Sequence, residues 1–434
     1  MAASQPDPAT TEPSEEPPQR RLWDFLGPGL ITGASDDDPS GIATYSQIGA
    51  QYGYSMAWTM LFSYPLMAGI QEISARIGRV TGEGVAGNLR RHYPAWILRA
   101  MIGLLIVANV INLGADLGGM ADALRLMVGG PSEAYVVAFA LVCCGLEVFS
   151  RYDRYVAILK WTTLSLLAYV ATVLAVKISW RDVAFHTLVP ELSWDHDAIV
   201  GIVAVLGTTI SPYLMFWQAS EEAEDERVAS DAEPLLMAPG QAPREFRRIH
   251  LDTYVGMAYS NLVALGIIIT TAATLHEHGI TFIQTSAQAA EALRPIAGPF
   301  AFAVFALGII GTGLLAIPVL AGSVAYAVGE ALGWPVGLAR LPHEAKAFYG
   351  TIVVSTCLGI AITLVALDPI TALFWSAVIN GIIAVPLMVI MMVMSANPAV
   401  MGQFRLPKLL AVFGWAATVT MAATVIAMAW ALVT

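Results

Sequence analysis

Two interrupted apolar segments decide the fold of this chain: residues 34–41 read ASDDDPSG, and residues 207–213 read GTTISPY. In each segment a residue type that often caps helices, Asp38 or Ser211, directly precedes a proline. This order is typical of a helix N-cap followed by proline at the first helical position. Each segment is therefore predicted to consist of two half-helices that meet near its middle.

The composition around these segments is that of an integral membrane protein. Hydrophobic residues make up 57% of the 434 residues and charged residues 13%, and the mean hydropathy is +0.66. A soluble domain of this size could not bury so much apolar side chain. Runs such as 97–113 and 407–433 approach or exceed the roughly 20 residues that span hydrocarbon. The three cysteines form no CxxC pair and are expected to pack in the core.

Apolar runs between charged or turn-rich breaks predict about eleven membrane-spanning helices. They cover residues 25–50, 55–77, 96–127, 134–150, 154–177, 198–220, 252–275, 296–330, 348–367, 370–395 and 407–433. If the N-terminus is inside, 18 of the 22 lysines and arginines lie on the cytoplasmic side and four lie outside. This excess predicts a cytoplasmic N-terminus and an outer C-terminus. Residues 1–21 are expected to be a disordered cytoplasmic tail, and the acidic run 221–226 a solvated loop.

The two breaks stand at the head of two successive sets of five spans. Lipid offers no hydrogen bonds to the freed backbone groups, so such breaks persist only when they are buried in protein or line a cavity. The arrangement is typical of an inverted-repeat transporter with its binding site at the breaks. We therefore predict an all-α membrane protein whose residues 22–434 form one transporter domain. Its two repeats would cover residues 25–177 and 198–395, with an extra helix at 407–433.

Three consecutive carboxylates, those of Asp36, Asp37 and Asp38, stand inside the first span. A charged side chain at the bilayer centre costs roughly 2.5–3.5 kcal/mol on insertion scales, so three of them require a reason. Asp38 is predicted both to cap the following half-helix and to bind substrate, because a carboxylate has two oxygens. Asp37 is a further candidate ligand, although Asp36 and Asp37 could instead lie near the aqueous end or pair with a polar neighbour. Full negative charges outweigh the half-charges at helix ends, so the expected substrate is a cation.

A second polar group lies in the third span, where Asn109, Asn112 and Asp116 fall on one helical face. Two interpretations remain open: a hydrogen-bonding seam between helices, or a path for ions or protons lined by Asp116. The chain has no HExxH, GxSxG or Walker-type motif. We therefore expect neither an enzyme nor an ATP-driven machine, with no cofactor and no nucleic-acid partner.

The first span resembles that of the NRAMP family of divalent-metal transporters. The matching residues are Gly27–Leu30, Asp38–Gly41, Ala43–Thr44, Gln47 and Gly49–Tyr54, where the family reads DPGN at the break and AGAQYGY after it. Weaker matches are Ala75–Gly78, Val80–Gly82 and Ala115–Leu117, so strong identity is confined to roughly the first 120 residues. The resemblance implies a LeuT-like fold with broken helices 1 and 6, and transport of Mn²⁺ or Fe²⁺ coupled to protons.

The chain departs from the family pattern at three places. The family's Asp of DPGN matches Asp38, but its Asn falls on Gly41, and its Met-Pro-His in the sixth helix aligns with Ser211-Pro212-Tyr213. The ninth span also lacks the family's arginine. Without the soft thioether sulfur, an oxygen-only site should prefer hard ions or discriminate less between metals, and smaller side chains should make it roomier. Magnesium transporters related to the family are the nearest functional comparison.

The predicted function is transport of a divalent cation, of the Mn/Fe type or Mg²⁺, by alternating access. Asp38 and Ser211 are the predicted metal ligands, and the wider substrate site includes Asp37, Gly41, Thr208 and Tyr213. The expected partners are the cation, the lipid bilayer of a bacterial-type plasma membrane and a co-transported proton. Two alternatives are a symporter of an organic cation or neutral solute with the same fold, and a non-transporting sensor or scaffold that docks a partner on residues 221–248.

Overall fold

The computed structural model describes residues 28–149, 166–229, 232–364 and 368–433, and these ranges are helical without any β-strand. In chain order their α-helices are α1 (Pro28–Asp36), α2 (Pro39–Tyr52), α3 (Trp58–Thr81), α4 (Val85–His92), α5 (Ala95–Val128), α6 (Ser132–Phe149), α7 (Leu167–Ala175), α8 (Trp180–Leu188), α9 (His196–Thr209), α10 (Pro212–Val228), α11 (Ala242–Thr274), α12 (Ser286–Glu291), α13 (Arg294–Ala297), α14 (Ala301–Leu332), α15 (Lys346–Leu364), α16 (Pro369–Ala396), α17 (Pro398–Met401) and α18 (Lys408–Ala431). The predicted tail 1–21 and residues 154–165 of the predicted fifth span lie outside the described residues.

Eight helical segments of the described ranges are long and apolar enough to cross a membrane. The first predicted span, which consists of α1 and α2, is not among them, whereas residues 196–228, which contain the second break, are. The second predicted span corresponds to α3, a 24-residue helix whose apolar character is interrupted by Gln71, Glu72, Arg76 and Arg79. The exact number of eleven spans therefore stays a prediction.

Both predicted breaks are present. The helix α1 ends at Asp36 and α2 begins at Pro39, while α9 ends at Thr209 and α10 begins at Pro212. Each proline occupies the start of its helix, where its missing N–H costs no hydrogen bond. The prediction that the first and sixth spans are pairs of half-helices is thus confirmed.

Glycines allow the half-helices to pack closely against neighbouring helices. A Cβ atom placed on Gly33 of α1 would lie 2.3 Å from the carbonyl carbon of Gly256 on α11. A Cβ atom placed on Gly207 of α9 would lie 2.0 Å from the carbonyl oxygen of Ala377 on α16. Small residues permit this close approach of backbones in membrane helices. The packing places α1 against α11, and α9 against α16.

The acidic run 221–226 was expected to be a solvated loop, and this expectation is wrong. The helix α10 continues to Val228, beyond the predicted end of the sixth span at residue 220. Glu222, Glu224 and Glu226 are buried in it. The physical reason is that other parts of the chain supply cations and hydrogen-bond donors: Arg248 pairs with Glu222, and the backbone N–H groups of residues 338 and 339 bind Glu224.

Candidate metal centre at the broken helices

Asp38 lies at the centre of the first break and is 1% exposed. Its Oδ1 accepts hydrogen bonds from the backbone N–H of Gly41 at 2.7 Å and from the hydroxyl of Ser40 at 2.8 Å. Its Oδ2 accepts from the side-chain amide of Asn112 at 3.0 Å, and the hydroxyl of Tyr213 lies at 3.4 Å. Asp38 therefore caps α2 with one oxygen and faces α5 and α10 with the other.

Ser211 stands at the N-cap position of α10 but does not cap it, which corrects the expectation from the sequence. Its hydroxyl lies 2.7 Å from the carbonyl oxygen of Thr208 and 3.2 Å from that of Gly207, so it donates back to the end of α9. A hydroxyl has a single proton, and here it goes to a carbonyl. The two lone pairs of the Ser211 oxygen are left as acceptors.

The second break packs directly against the first. A Cβ atom placed on Gly41 would lie 3.1 Å from the hydroxyl oxygen of Thr208 and 3.4 Å from Oδ1 of Asp38. Gly41 thus permits the close approach of α2 and α9, and it leaves no vacant space for a larger side chain. The sequence predicted a roomier site at this position, and that prediction is wrong. The other contact between the breaks is the hydroxyl of Tyr213, which donates to the carbonyl oxygen of Ser35 at 2.9 Å.

Asp36 and Asp37 are also buried, so the alternative that placed them near the aqueous end is wrong. Both side chains contact α11. The hydroxyl oxygen of Ser260 lies 2.6 Å from Oδ2 of Asp36 and 3.1 Å from Oδ1 of Asp37. The other oxygens, Oδ1 of Asp36 and Oδ2 of Asp37, have no hydrogen-bond partner. The three consecutive carboxylates are therefore divided between two groups of helices.

The polar face of α5 is buried and divides in the same way. Asn109 donates to the carbonyl oxygen of Leu320 at 3.1 Å and to the hydroxyl of Ser323 at 2.6 Å, as expected of a seam between helices. Asn112 joins the Asp38 site instead. Asp116 faces the backbone N–H of Ser40, but neither of its carboxylate oxygens completes a hydrogen bond.

Asp36, Asp37, Asp38 and Asp116 will be called the break cluster. Within the described residues, no basic side chain pairs with them, and the charges that act on them are other carboxylates. Three neutral oxygens beside Asp38 are also buried without a partner: Oδ1 of Asn112, the hydroxyl of Thr208 and the hydroxyl of Tyr45. Buried polar atoms are nearly always satisfied in native proteins, so this group of unpaired oxygens is a candidate position for a cationic ligand.

A model of the family described as "Natural resistance-associated macrophage protein-like" (Nramp) matches residues 29–431. The chain belongs to the Nramp family. A relative from Burkholderia ambifaria, named divalent metal cation transporter MntH, is 26% identical over 416 residues, which are 94% of this chain and 89% of that protein.

Solved structures show that the fold is shared. The manganese transporter of Eremococcus coleocola, crystallised with an aromatic bis-isothiourea substituted compound, matches with a TM-score of 0.75 at 17% identity. The match covers 96% of this Nramp chain and 89% of that chain. Mhp1, a nucleobase-cation-symport-1 family transporter, matches with a TM-score of 0.54 at 14% identity over 94% of this chain and 92% of its own. The predicted family and the predicted LeuT-like helical fold are confirmed.

The sequence analysis of this Nramp protein did not identify Ser260 and Tyr45 as candidate functional residues. Ser260 lies in an apolar helix, and serine is common in membrane helices for many reasons. Tyr45 lies in the motif-rich first span but carries no charge. The only signal was indirect, because an unpaired carboxylate pair at Asp36 and Asp37 requires some partner. Which helix supplies it is visible only in three dimensions.

Proposed function

We propose that this Nramp protein carries a divalent metal cation across the membrane by alternating access, and that the cation binds between the two breaks. Family membership supports a transporter and argues against an enzyme. The observation that carries the site assignment is the buried surrounding of Asp38, where no described residue supplies a basic side chain and unpaired oxygens of Asn112 and Thr208 adjoin the carboxylate. In a low-dielectric site, such a group attracts a cation strongly.

In this proposal Asp38 supplies the negative charge and Ser211 supplies a neutral oxygen, because its proton is already donated to a carbonyl. Thr208 offers a further hydroxyl oxygen, and the hydroxyl of Tyr213, which donates to the carbonyl oxygen of Ser35, lies 3.4 Å from Oδ2 of Asp38. Gly41 permits α2 and α9 to approach. Asp37, which was a candidate for the same site, is better assigned to the α11 side, where Ser260 contacts it.

The proposed ligands are oxygens without a sulfur atom. Oxygen ligands suit hard ions such as Mg²⁺ and Mn²⁺, whereas a thioether would favour softer transition metals. We therefore propose that the protein transports Mn²⁺ and discriminates only weakly against Mg²⁺. The selectivity would follow from the residue at position 211, where the family's methionine is replaced by serine.

Uptake into proteoliposomes tests this function. The wild-type protein should accumulate Mn²⁺, and Mg²⁺ in modest excess should compete. The variant Asp38→Asn should lose uptake to the background of empty liposomes. The control Asp122→Asn should keep it, because Asp122 is bound by the hydroxyl of Ser286 away from the breaks. If Mn²⁺, Fe²⁺ and Mg²⁺ all fail to move or compete in the wild-type protein, the metal assignment is wrong.

Selectivity gives a sharper test of the ligand set. Ser211→Met would place a thioether at the site, so the ratio of Cd²⁺ to Mg²⁺ affinity should rise, and Mg²⁺ should compete poorly with Mn²⁺. Ser63→Met on α3 is a control because Ser63 donates to the carbonyl of Met60 within its own helix. An unchanged metal preference in Ser211→Met would exclude Ser211 from the metal shell.

We further propose that a proton accompanies the metal and that Asp116 carries it. Asp116 is buried, faces the backbone N–H of Ser40 and is close enough to Asp38 for the two carboxylates to interact electrostatically. A pH dye inside the liposomes should report acidification during Mn²⁺ uptake, and Asp116→Asn should remove the acidification while metal binding persists. The proposed location is the plasma membrane with the N-terminus inside. Labelling of single cysteines placed in the loops of intact cells would test that orientation.

A further inference from the structure

The proposed function does not use Asp36 and Asp37, which are two of the four carboxylates of the break cluster. Asp36 and Asp37 both approach the single hydroxyl of Ser260 on α11. One hydroxyl has one proton to donate, so it satisfies at most one of the two carboxylates at a time. Two adjacent buried carboxylates are left with too few donors.

The hydroxyl of Tyr45 on α2 is an independent second observation. The side chain is fully buried, and its oxygen faces the carboxylates of Asp36, Asp37 and Asp38 as well as the hydroxyl of Thr208. It forms no hydrogen bond with any of the three carboxylates. A buried tyrosine oxygen that stands beside carboxylates and donates to none of them is explained if a positive ion occupies the space between them.

Charge balance leads to the same conclusion. The break cluster has four carboxylates and no basic partner among the described residues. The proposed proton on Asp116 and one divalent cation at Asp38 would together neutralise three of the four negative charges. A second cation would neutralise the charge that remains. The C-terminal end of α1 adds a partial negative charge on the side of Asp36 and Asp37.

We propose that Asp36, Asp37 and Ser260, together with the hydroxyl of Tyr45, form a second cation site next to the Asp38 site. The donors are all oxygens and two of them are carboxylates, so the site suits a hard divalent cation such as Mn²⁺, Mg²⁺ or Ca²⁺. The two sites use different helices, α11 for the second and α5 with α10 for the first. The inference rests on the proposed function, because the charge balance counts the ion at Asp38.

Mn²⁺ alone is the probe for the experiment. The full-length protein, purified in detergent and freed of metal by chelation, would be titrated with Mn²⁺ and the bound ions counted per chain. The wild-type protein should bind two. Because Asp37 and Asp38 are consecutive residues, the two ions should lie close enough to broaden each other's electron paramagnetic resonance signal. The double variant Asp36→Asn/Asp37→Asn should bind one ion and show the narrow signal of an isolated Mn²⁺.

Two further variants keep the outcomes distinct. Asp122→Asn is the matched control, because it also removes an aspartate charge from an aspartate–serine hydrogen bond, and it should still bind two ions. Asp38→Asn should bind one ion, held at the second site. If Asp38→Asn binds two while the double variant binds one, the second site stands and the proposed function fails.

The second site is overturned by either of two results. One is a wild-type protein that binds a single ion, lost in Asp38→Asn. The other is a double variant that still binds two ions. The asparagine side chains keep the size of aspartate, and elution from size-exclusion chromatography at the wild-type position would show that each variant is folded.

Discussion

Two groups of buried carboxylates in this protein have opposite surroundings. One is the break cluster. The other will be called the α10 cluster, and it consists of Glu222 and Glu224 of α10 and Glu330 of α14. Arg248 pairs with Glu222, two backbone N–H groups bind Glu224, and the backbone N–H of Gly87 and the hydroxyl of Ser220 bind Glu330 at 2.9 Å each. The break cluster has no basic partner within the described residues, and two of its carboxylates share one hydroxyl.

The comparison shows that burial of acidic residues does not by itself mark a binding site. A buried carboxylate with its own donors and cation is part of the fold, and breaking the arrangement leaves an uncompensated charge. A buried carboxylate without them is unfavourable in the empty protein and is stabilised by a cation that arrives from outside. The missing counter-charge among the described residues is thus the feature on which the proposed site at the break cluster rests.

The largest expected effect is on stability, at the α10 cluster. Arg248→Met removes the cation that faces Glu222, and a buried charge left without its partner costs about 3–5 kcal/mol of the free energy of unfolding. The midpoint of thermal unfolding in detergent should fall accordingly. Adding Glu222→Gln to Arg248→Met should restore part of the loss. If the single variant unfolds like the wild type, the two clusters do not differ in the way described.

A smaller loss is expected at Glu330. Glu330→Leu removes both acceptor oxygens and leaves the N–H of Gly87 and the hydroxyl of Ser220 without this partner, at a cost of about 1–3 kcal/mol. Glu133→Leu, at an exposed position on α6, is the control and should change stability little. Equal unfolding midpoints for the two variants would contradict the structural role of Glu330.

At the break cluster the expected effect is on metal affinity. Asn112→Ala removes an amide that holds Asp38, and the Mn²⁺ dissociation constant should rise roughly fivefold, which corresponds to about 1 kcal/mol. Asn109 lies one turn away and binds Ser323 instead of Asp38. The Asn109→Ala variant should therefore bind Mn²⁺ with the affinity of the wild type. Isothermal titration of both variants separates a site residue from a seam residue, and the reverse order of affinities would exchange their roles.

The smallest expected effect is on stability at the break cluster, and it tests the difference between the two clusters most directly. Asp37→Asn removes a charge that has no basic partner among the described residues, so the metal-free protein should lose less than about 0.5 kcal/mol of stability or become more stable. Unfolding would be followed in the presence of a chelator, beside Glu222→Gln, which should be clearly destabilised. A large loss in Asp37→Asn under these conditions would mean that the break cluster is as well compensated as the α10 cluster.

Much of the fold was predictable because its signals are local. Pro39 and Pro212 each follow a polar residue in an apolar run, and both mark the start of a half-helix. The acidic run of α10 was not predictable as buried helix, since its compensation comes from Arg248 and from the backbone near Leu338, far away in sequence. Local charge indicates solvent exposure unless distant partners intervene.

The site was predictable to a similar extent. Asp38 and Asn112 were nominated from the sequence and lie together, at 3.0 Å. The capping role expected for Ser211 fails because a hydroxyl can choose between a following N–H and a preceding carbonyl, and only the geometry of the turn decides. The open space expected at Gly41 fails because Thr208 packs against it from another helix.

The sequence by itself determined that this chain is a helical membrane protein with two broken spans and an anionic first break, since hydropathy, proline position and charge are properties of neighbouring residues. Only the tertiary structure decided how the carboxylates are shared out, with Asp38 on one side and Asp36 and Asp37 on the other. Hydrogen bonds form between whichever groups the packed helices bring within reach, and the packing of α5, α10 and α11 depends on contacts along their entire lengths.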